Sequence, residues 1–191
     1  MASQGFRERI LEVAEDGTAL ANSTTATSLL AAARKIATLP AGYFDELGKR
    51  LCFEFSGRIS TVVTTPGTLT LALRLGSVNV FSSGAMSLNT TAQTNVNWNF
   101  GGELIARALG TGTATTLFPK GCWFSSHAVI GSPAPTAGGA GTHMLPYNAA
   151  PAVGTGFDNS VSQLIDLFAT WSVANAANSI QLHAGHIDIY T

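Results

Sequence analysis

Thr68-Leu69-Thr70-Leu71-Ala72-Leu73-Arg74-Leu75 carries a leucine at every second position. Side chains alternate across a β-strand, so Leu69, Leu71, Leu73 and Leu75 share one face and Thr68, Thr70, Ala72 and Arg74 the other. A helix would scatter the same leucines around its circumference. Gly76-Ser77 follows, with glycine first as a two-residue type II′ hairpin requires, and Val78 resumes the apolar pattern. The octet therefore predicts a half-buried antiparallel strand that turns back on itself.

The same period recurs on both sides. Within residues 50–59, Leu51, Phe53, Phe55 and Ile59 fall on one parity, opposite Arg50, Cys52, Glu54, Ser56 and Arg58. Val96, Trp98, Phe100, Gly102, Leu104, Ala106 and Ala108 share a parity, with Asn95, Asn97, Asn99, Glu103 and Arg107 facing away. Gly101-Gly102 in that run predicts a bend or a close backbone approach. Ile165, Leu167, Ala169, Trp171 and Val173 form another apolar face, and Ile180, Leu182 and Ala184 the last. Beyond Gly185 the parity flips to Ile187 and Ile189, which predicts a β-bulge. Pro119 within Thr115–Phe124 marks an edge strand or two short pieces. About eight strands at this spacing predict an all-β fold, an antiparallel sandwich of jelly-roll type.

Two regions depart from the pattern. Residues 1–30 are charged and then rich in Ser, Thr and Ala, and read as an extended N-terminal arm or an early edge segment. The single sandwich domain then covers 31–191. Within it, a short helix is possible at Ala41–Leu47, after Pro40. Residues 131–160 are rich in Gly, Pro and Ala and read as a long loop, the kind that serves as a binding surface or as a plain connection.

The chain has 191 residues, 46% of them hydrophobic, enough for one substantial core. Charged residues make up 11%, less than half the ~25% usual in soluble domains. Ser, Thr, Asn, Gly and Ala must therefore cover the surface, and such a surface packs against a partner without a large desolvation penalty. Of 21 charged residues, 14 lie within residues 1–58. A net charge of −1 gives no electrostatic case for nucleic acid or an anionic membrane. No run approaches the ~18 apolar residues of a spanning helix. Arg7, Glu8 and Arg9 stand where a signal peptide needs an apolar stretch. Cys52 and Cys122 could form one disulfide; reduced, buried thiols are the expectation.

The supply of catalytic groups is thin. His183-x-x-His186 resembles a metal pair, but on a regular strand i and i+3 face opposite ways. His186 and Asp188 share a parity and suit a local hydrogen bond. Beyond the N-terminal third the acids are Glu103, Asp158, Asp166 and Asp188, and no carboxylate pair of the glycosidase kind can be assembled from them. No Gly-x-Ser-x-Gly elbow occurs, and Gly138-Gly139-Ala140-Gly141 lacks the lysine of a phosphate loop. Trp98 and Trp171 sit on apolar parities and belong to the core, while Trp123 suits either core or surface. No enzyme activity, cofactor or metal is expected. Binding is assigned instead to Arg7, Arg9 and Glu12 of the charged segment, and to Asn95, Asn97 and Asn99 on an uncharged strand face. Should a glycan be bound, Tyr147 and His143 would be the exposed rings to contact it.

Several stretches resemble a group of small tailed-bacteriophage and prophage virion proteins. They are Thr65-Pro66-Gly67-Thr68-Leu69-Thr70-Leu71, Gly84-Ala85-Met86-Ser87-Leu88-Asn89, Asn95-Val96-Asn97-Trp98, Arg107-Ala108-Leu109-Gly110-Thr111, Asp166-Leu167-Phe168-Ala169-Thr170-Trp171-Ser172 and Asn178-Ser179-Ile180-Gln181-Leu182. The likeness runs from about Thr18 to the end and rests on the order of strands and turns. It implies a jelly-roll protein of the virion surface, made in the bacterial cytoplasm. The commonest such protein is a homotrimeric capsid cement, or decoration, protein that partners the major capsid protein. Related sandwiches serve as head fibres, spikes or tail parts that bind a receptor or glycan.

Overall fold

The computed structural model describes residues 6–62, 64–131 and 141–190. In chain order the strands among them are β1 (Arg7–Val13), β2 (Leu20–Ala21), β3 (Thr27–Ser28), β4 (Thr38–Leu39), β5 (Arg50–Thr61), β6 (Thr68–Leu75), β7 (Val78–Ser82), β8 (Met86–Ser87), β9 (Gln93–Ala108), β10 (Thr116–Ser125), β11 (Thr142–Leu145), β12 (Gln163–Trp171) and β13 (Ser179–Tyr190). Every pairing among them is antiparallel. The larger sheet runs β1-β13-β5-β9-β10-β11, with β2 also on β13. The smaller runs β3-β12-β6-β7, with β4 also on β12 and β8 on β6.

The two sheets bury their alternating apolar faces against each other, as in a β-sandwich. Leu51, Phe53, Phe55 and Ile59 of β5 meet Leu69, Leu71, Leu73 and Leu75 of β6 in one cluster that extends from Leu11 to Ile189. Phe53 lies 5.1 Å from Phe100 on the same sheet and 5.7 Å from Phe81 on the other, ring centre to ring centre. Each such side chain taken from water contributes about 1.5–3 kcal/mol.

The turn after β6 is the expected one. Leu75 pairs with Val78, Gly76 has φ +58, and Ser77 is not among the positive-φ residues. One positive φ, at the first central position, distinguishes type II′ from type I′. In the glycine pair the close approach belongs to Gly102, where a Cβ would lie 2.4 Å from the Lys120 carbonyl oxygen. Gly101 has ordinary clearance. Pro119 sits in one continuous strand, at a stretch of β10 that β11 does not reach, since β11 pairs only with Gly121–Phe124. Its missing N–H therefore costs no ladder bond to β11, and the residue itself is buried.

Four expectations need correction or completion. Of the two readings of the N-terminal segment, arm or early edge segment, residues 7–13 follow the second: they pair with β13 as the outermost strand of the larger sheet. Residues 41–47 form a loop rather than a helix. Gly42 takes φ +73, and the Tyr43 hydroxyl is drawn to the Arg50 and Tyr190 carbonyls at 2.6 and 3.0 Å. These tertiary contacts override local preference, and burial raises the Tyr43 pKa to about 12. The bulge in β13 falls at His183, between Leu182 and Ala184, so Ala184 is exposed rather than in the core. In the 131–160 loop, residues 132–140 lie outside the described part. From 141 onward the segment is packed: it contributes β11, and Phe157 is buried against the bridge to Thr115.

Candidate functional site

The outward face of the larger sheet holds most of the polar residues singled out in the sequence, ordered in rungs by strand register. The charged rung runs Lys120, Glu103, Cys52, Asp188, Arg9 across β10, β9, β5, β13 and β1. Asp188 is 1% exposed although it points outward, because β1 lays two arginines over it. Arg9 Nε donates to Asp188 Oδ1 at 3.0 Å, Arg7 donates to Oδ2, and His186 Nε2 lies 3.3 Å from Oδ2. Burial pushes the Asp188 carboxyl up, but the hydrogen bonds from Arg7 and Arg9 outweigh it and hold it below its usual value. Glu103 is shared by Lys120 at 2.5 Å and Arg50 at 3.2 Å. The chain thus satisfies this rung internally.

The neutral rung lies four residues along β9, about 14 Å away at the rise of a strand. It runs Thr142, Phe124, Asn99, Ser56, Ala184 across β11, β10, β9, β5 and β13, with the bulged His183 beside Ala184. Thr142, Phe124, Asn99, Ser56 and His183, together with Asn97, border a concavity of about 450 Å³. Phe124 is 44% exposed. Several polar atoms are held by one bond that leaves another position open. Asn99 Nδ2 donates to Glu54 Oε1 at 2.7 Å, so its Oδ1 is presented as an acceptor. Ser126 N donates to Asn97 Oδ1 at 3.3 Å, which leaves the Asn97 amide as a donor. His183 Nδ1 is engaged with Asp16 Oδ1 at 2.6 Å, leaving Nε2. The Ser56 and Thr142 hydroxyls make no hydrogen bond with the described residues.

Between the rungs is an apolar strip: Met144 opposite Cys122, and Cys122 opposite Gly101. Met144 is 75% exposed. Both cysteines are reduced and half-buried on this face rather than in the core. Two strand spacings and two residues of rise separate their Cα atoms by about 12 Å, well beyond the ~7 Å limit of a disulfide. Burial raises both thiol pKa values, and the Glu103 charge adds to the effect at Cys52.

The residues proposed as contacts therefore share a face, in two groups. Arg7, Arg9 and Glu12 lie on β1 and Asn97 and Asn99 on β9, three strand spacings or about 14 Å apart. Asn95 takes φ +50, which asparagine tolerates, at the register shift between β5 and β9, and its N–H donates to Ser60 Oγ at 3.0 Å. His183 and His186 do not face opposite ways: the bulge absorbs one residue, and both emerge on the outer face. Among the described residues, no three of His, Cys, Asp and Glu gather as a metal site. Asp166 lies on the outer face of the smaller sheet, opposite Arg74, where it accepts from Ser28 Oγ at 2.7 Å. Burial raises its pKa.

The aromatic expectations divide as well. Tyr147 is 7% exposed and donates its hydroxyl to the Gly131 carbonyl, so it is packed rather than displayed; His143, edge-on to it at 5.7 Å, is half-buried. Trp123 is buried and stacked on Trp98 at 5.6 Å and 9°. Phe124, the neighbour of Trp123, is the ring that reaches solvent; its outward parity beside Lys120 and Cys122 was the available signal. No known protein family matches the chain, and no curated protein does either.

Proposed function

We propose that the chain is a structural virion protein: a capsid cement, or decoration, protein of jelly-roll type. It binds the outer capsid where subunits meet and works as a homotrimer. The observation that carries this reading is the internal pairing of a scarce set of charges. Asp188 with Arg7 and Arg9, Glu103 with Arg50 and Lys120, Glu15 with Arg34, and Asp45 with Lys49 all close within the chain. A sandwich with such a surface can be covered without stripping water from unpaired ions, which is the main penalty of a polar interface. A well-packed interface of standard size, about 1,600 Å², can then clip subunits together without any chemistry, and what binds the assembled shell stabilises it by mass action.

The self-contact is assigned to the β1 edge, where Arg7, Arg9 and Glu12 lie on the outermost strand and Phe6 and Ile36 are 69% and 77% exposed. Three-fold positions of a shell suit a trimer. The test is co-sedimentation with empty shells assembled from a cognate major capsid protein. Saturation at a fixed copy ratio, with a rise in shell melting temperature, is expected. Protein that stays in the supernatant and is monomeric at micromolar concentration contradicts the proposal. A head-fibre, spike or tail component that binds a receptor or glycan is the second reading, favoured by the exposure of Phe124.

A further inference from the structure

We infer that the neutral rung is a binding site for an uncharged saccharide, with Phe124 as its stacking platform. The concavity of about 450 Å³ falls in the ~300–1,000 Å³ range of small-ligand sites. Its position fixes where a ligand's bonds must come from. Backbone groups at the centre of a sheet are consumed by the ladder, so side chains supply recognition. The open groups form a mixed set: the Asn97 amide as donor, Asn99 Oδ1 and His183 Nε2 as acceptors or exchangeable partners, and the Ser56 and Thr142 hydroxyls as both. A sugar hydroxyl is likewise donor and acceptor at once, and the C–H face of a pyranose is the complement of an aromatic ring face.

Other ligand classes fit less well. No Lys or Arg borders the concavity, which disfavours phosphate or a nucleotide. An extended peptide would pair with a sheet edge, whereas this rung crosses five strands from β11 to β13. The polar atoms are also pre-oriented. Glu54 sets Asn99, the Ser126 backbone sets Asn97 and Asp16 sets His183, so little side-chain entropy is lost when a ligand arrives. The inference makes Asn97 and Asn99 ligand contacts and requires the face to stay open in the oligomer. A single phenyl ring in a shallow site supports a Kd on the order of 1 mM. Many copies on one particle would raise this by avidity; that last step alone rests on the proposed virion role.

The experiment is saturation-transfer NMR of the intact protein with maltose, lactose and N,N′-diacetylchitobiose, and with inorganic phosphate as the charged probe. Saturable transfer to the ring protons of at least one disaccharide is expected. Phe124→Ala and Asn97→Ala should each weaken it at least tenfold, while Met144→Ala, off the rung, leaves it unchanged. Melting temperature and circular dichroism of each variant confirm that the fold is retained. Absence of transfer from all three sugars, binding of phosphate in their place, or equal binding by Phe124→Ala and Asn97→Ala overturns the inference. Because it uses isolated protein, failure here leaves the shell-binding result untouched, and the reverse also holds.

Discussion

Two rungs of one sheet face, about 14 Å apart, use polar residues in opposite ways. On the charged rung Asp188 and Glu103 each take two cations of the same chain, and the wiring fastens β1 to β13 and β9 to β10. At the neutral rung Asn99 and His183, with Asn97 two residues further along β9, are each held by one bond and present the rest outward. The first arrangement holds the sheet together, and the second leaves hydrogen-bonding capacity for something else. Polarity alone does not mark a binding surface; unsatisfied, pre-oriented polarity does.

The largest expected effect falls where the rungs depend on the bulge. A Cβ on Gly57 would lie 1.9 Å from the Gln181 carbonyl oxygen, beside the residue that carries His183 outward. Gly57→Ala should cost about 3 kcal/mol in urea denaturation, because backbone on both sides must move. A loss below about 1 kcal/mol would mean the bulge is soft and the neutral rung adjustable.

Asp188→Asn comes next, at about 2 kcal/mol, since Arg7 and Arg9 lose their charge-assisted acceptor. Its pH dependence has a definite sign. The folded-state pKa of Asp188 is depressed, so its contribution is complete above the unfolded value of about 4 and fades as pH falls through the lower folded value. The gap between wild type and Asp188→Asn should close in acid. A gap that stays constant from pH 7 to pH 2 contradicts the ion-pair account.

Asp166 is the counter-case. Its folded pKa is raised by burial, so its contribution is complete below about pH 4 and lost as pH rises through the folded value. Asparagine keeps an acceptor for the Ser28 hydroxyl. Asp166→Asn at pH 7 should therefore leave thermal stability unchanged or raise it by up to about 1 kcal/mol. A clear loss would show that Arg74, its cross-strand neighbour, matters more than desolvation. The smallest effect belongs to Phe124→Ala, within about 0.5 kcal/mol by chemical denaturation, since its ring is 44% exposed and the site is not needed for folding.

Much of the sandwich was legible because period-two alternation is a local property. The leucines of β6 and the phenylalanines of β5 announce their buried face without knowledge of any partner strand. The position of the bulge was not legible to the residue: the parity flip is visible, but placing it at His183 needs the β5 register. Residues 41–47 read as a helix because the hydrogen bonds that hold Tyr43 come from Arg50 and Tyr190, the latter at the far end of the chain. The site was harder still. Thr142, Phe124, Asn99 and Ser56 become neighbours only through three successive registers, each set by side chains elsewhere in the strands. The clamp of Arg7 and Arg9 on Asp188 spans nearly the whole sequence in the same way.

On the proposed reading, the protein docks by its paired, quiet surfaces and keeps the neutral rung open to its surroundings. Cryo-electron microscopy of shells incubated with the protein tests it most directly. The account predicts trimeric density over capsid junctions, with the β1 edge at the contacts between copies and Phe124 and Asn97 facing bulk solvent. Bare shells, or density in which the Phe124 face is pressed against the capsid, would contradict it.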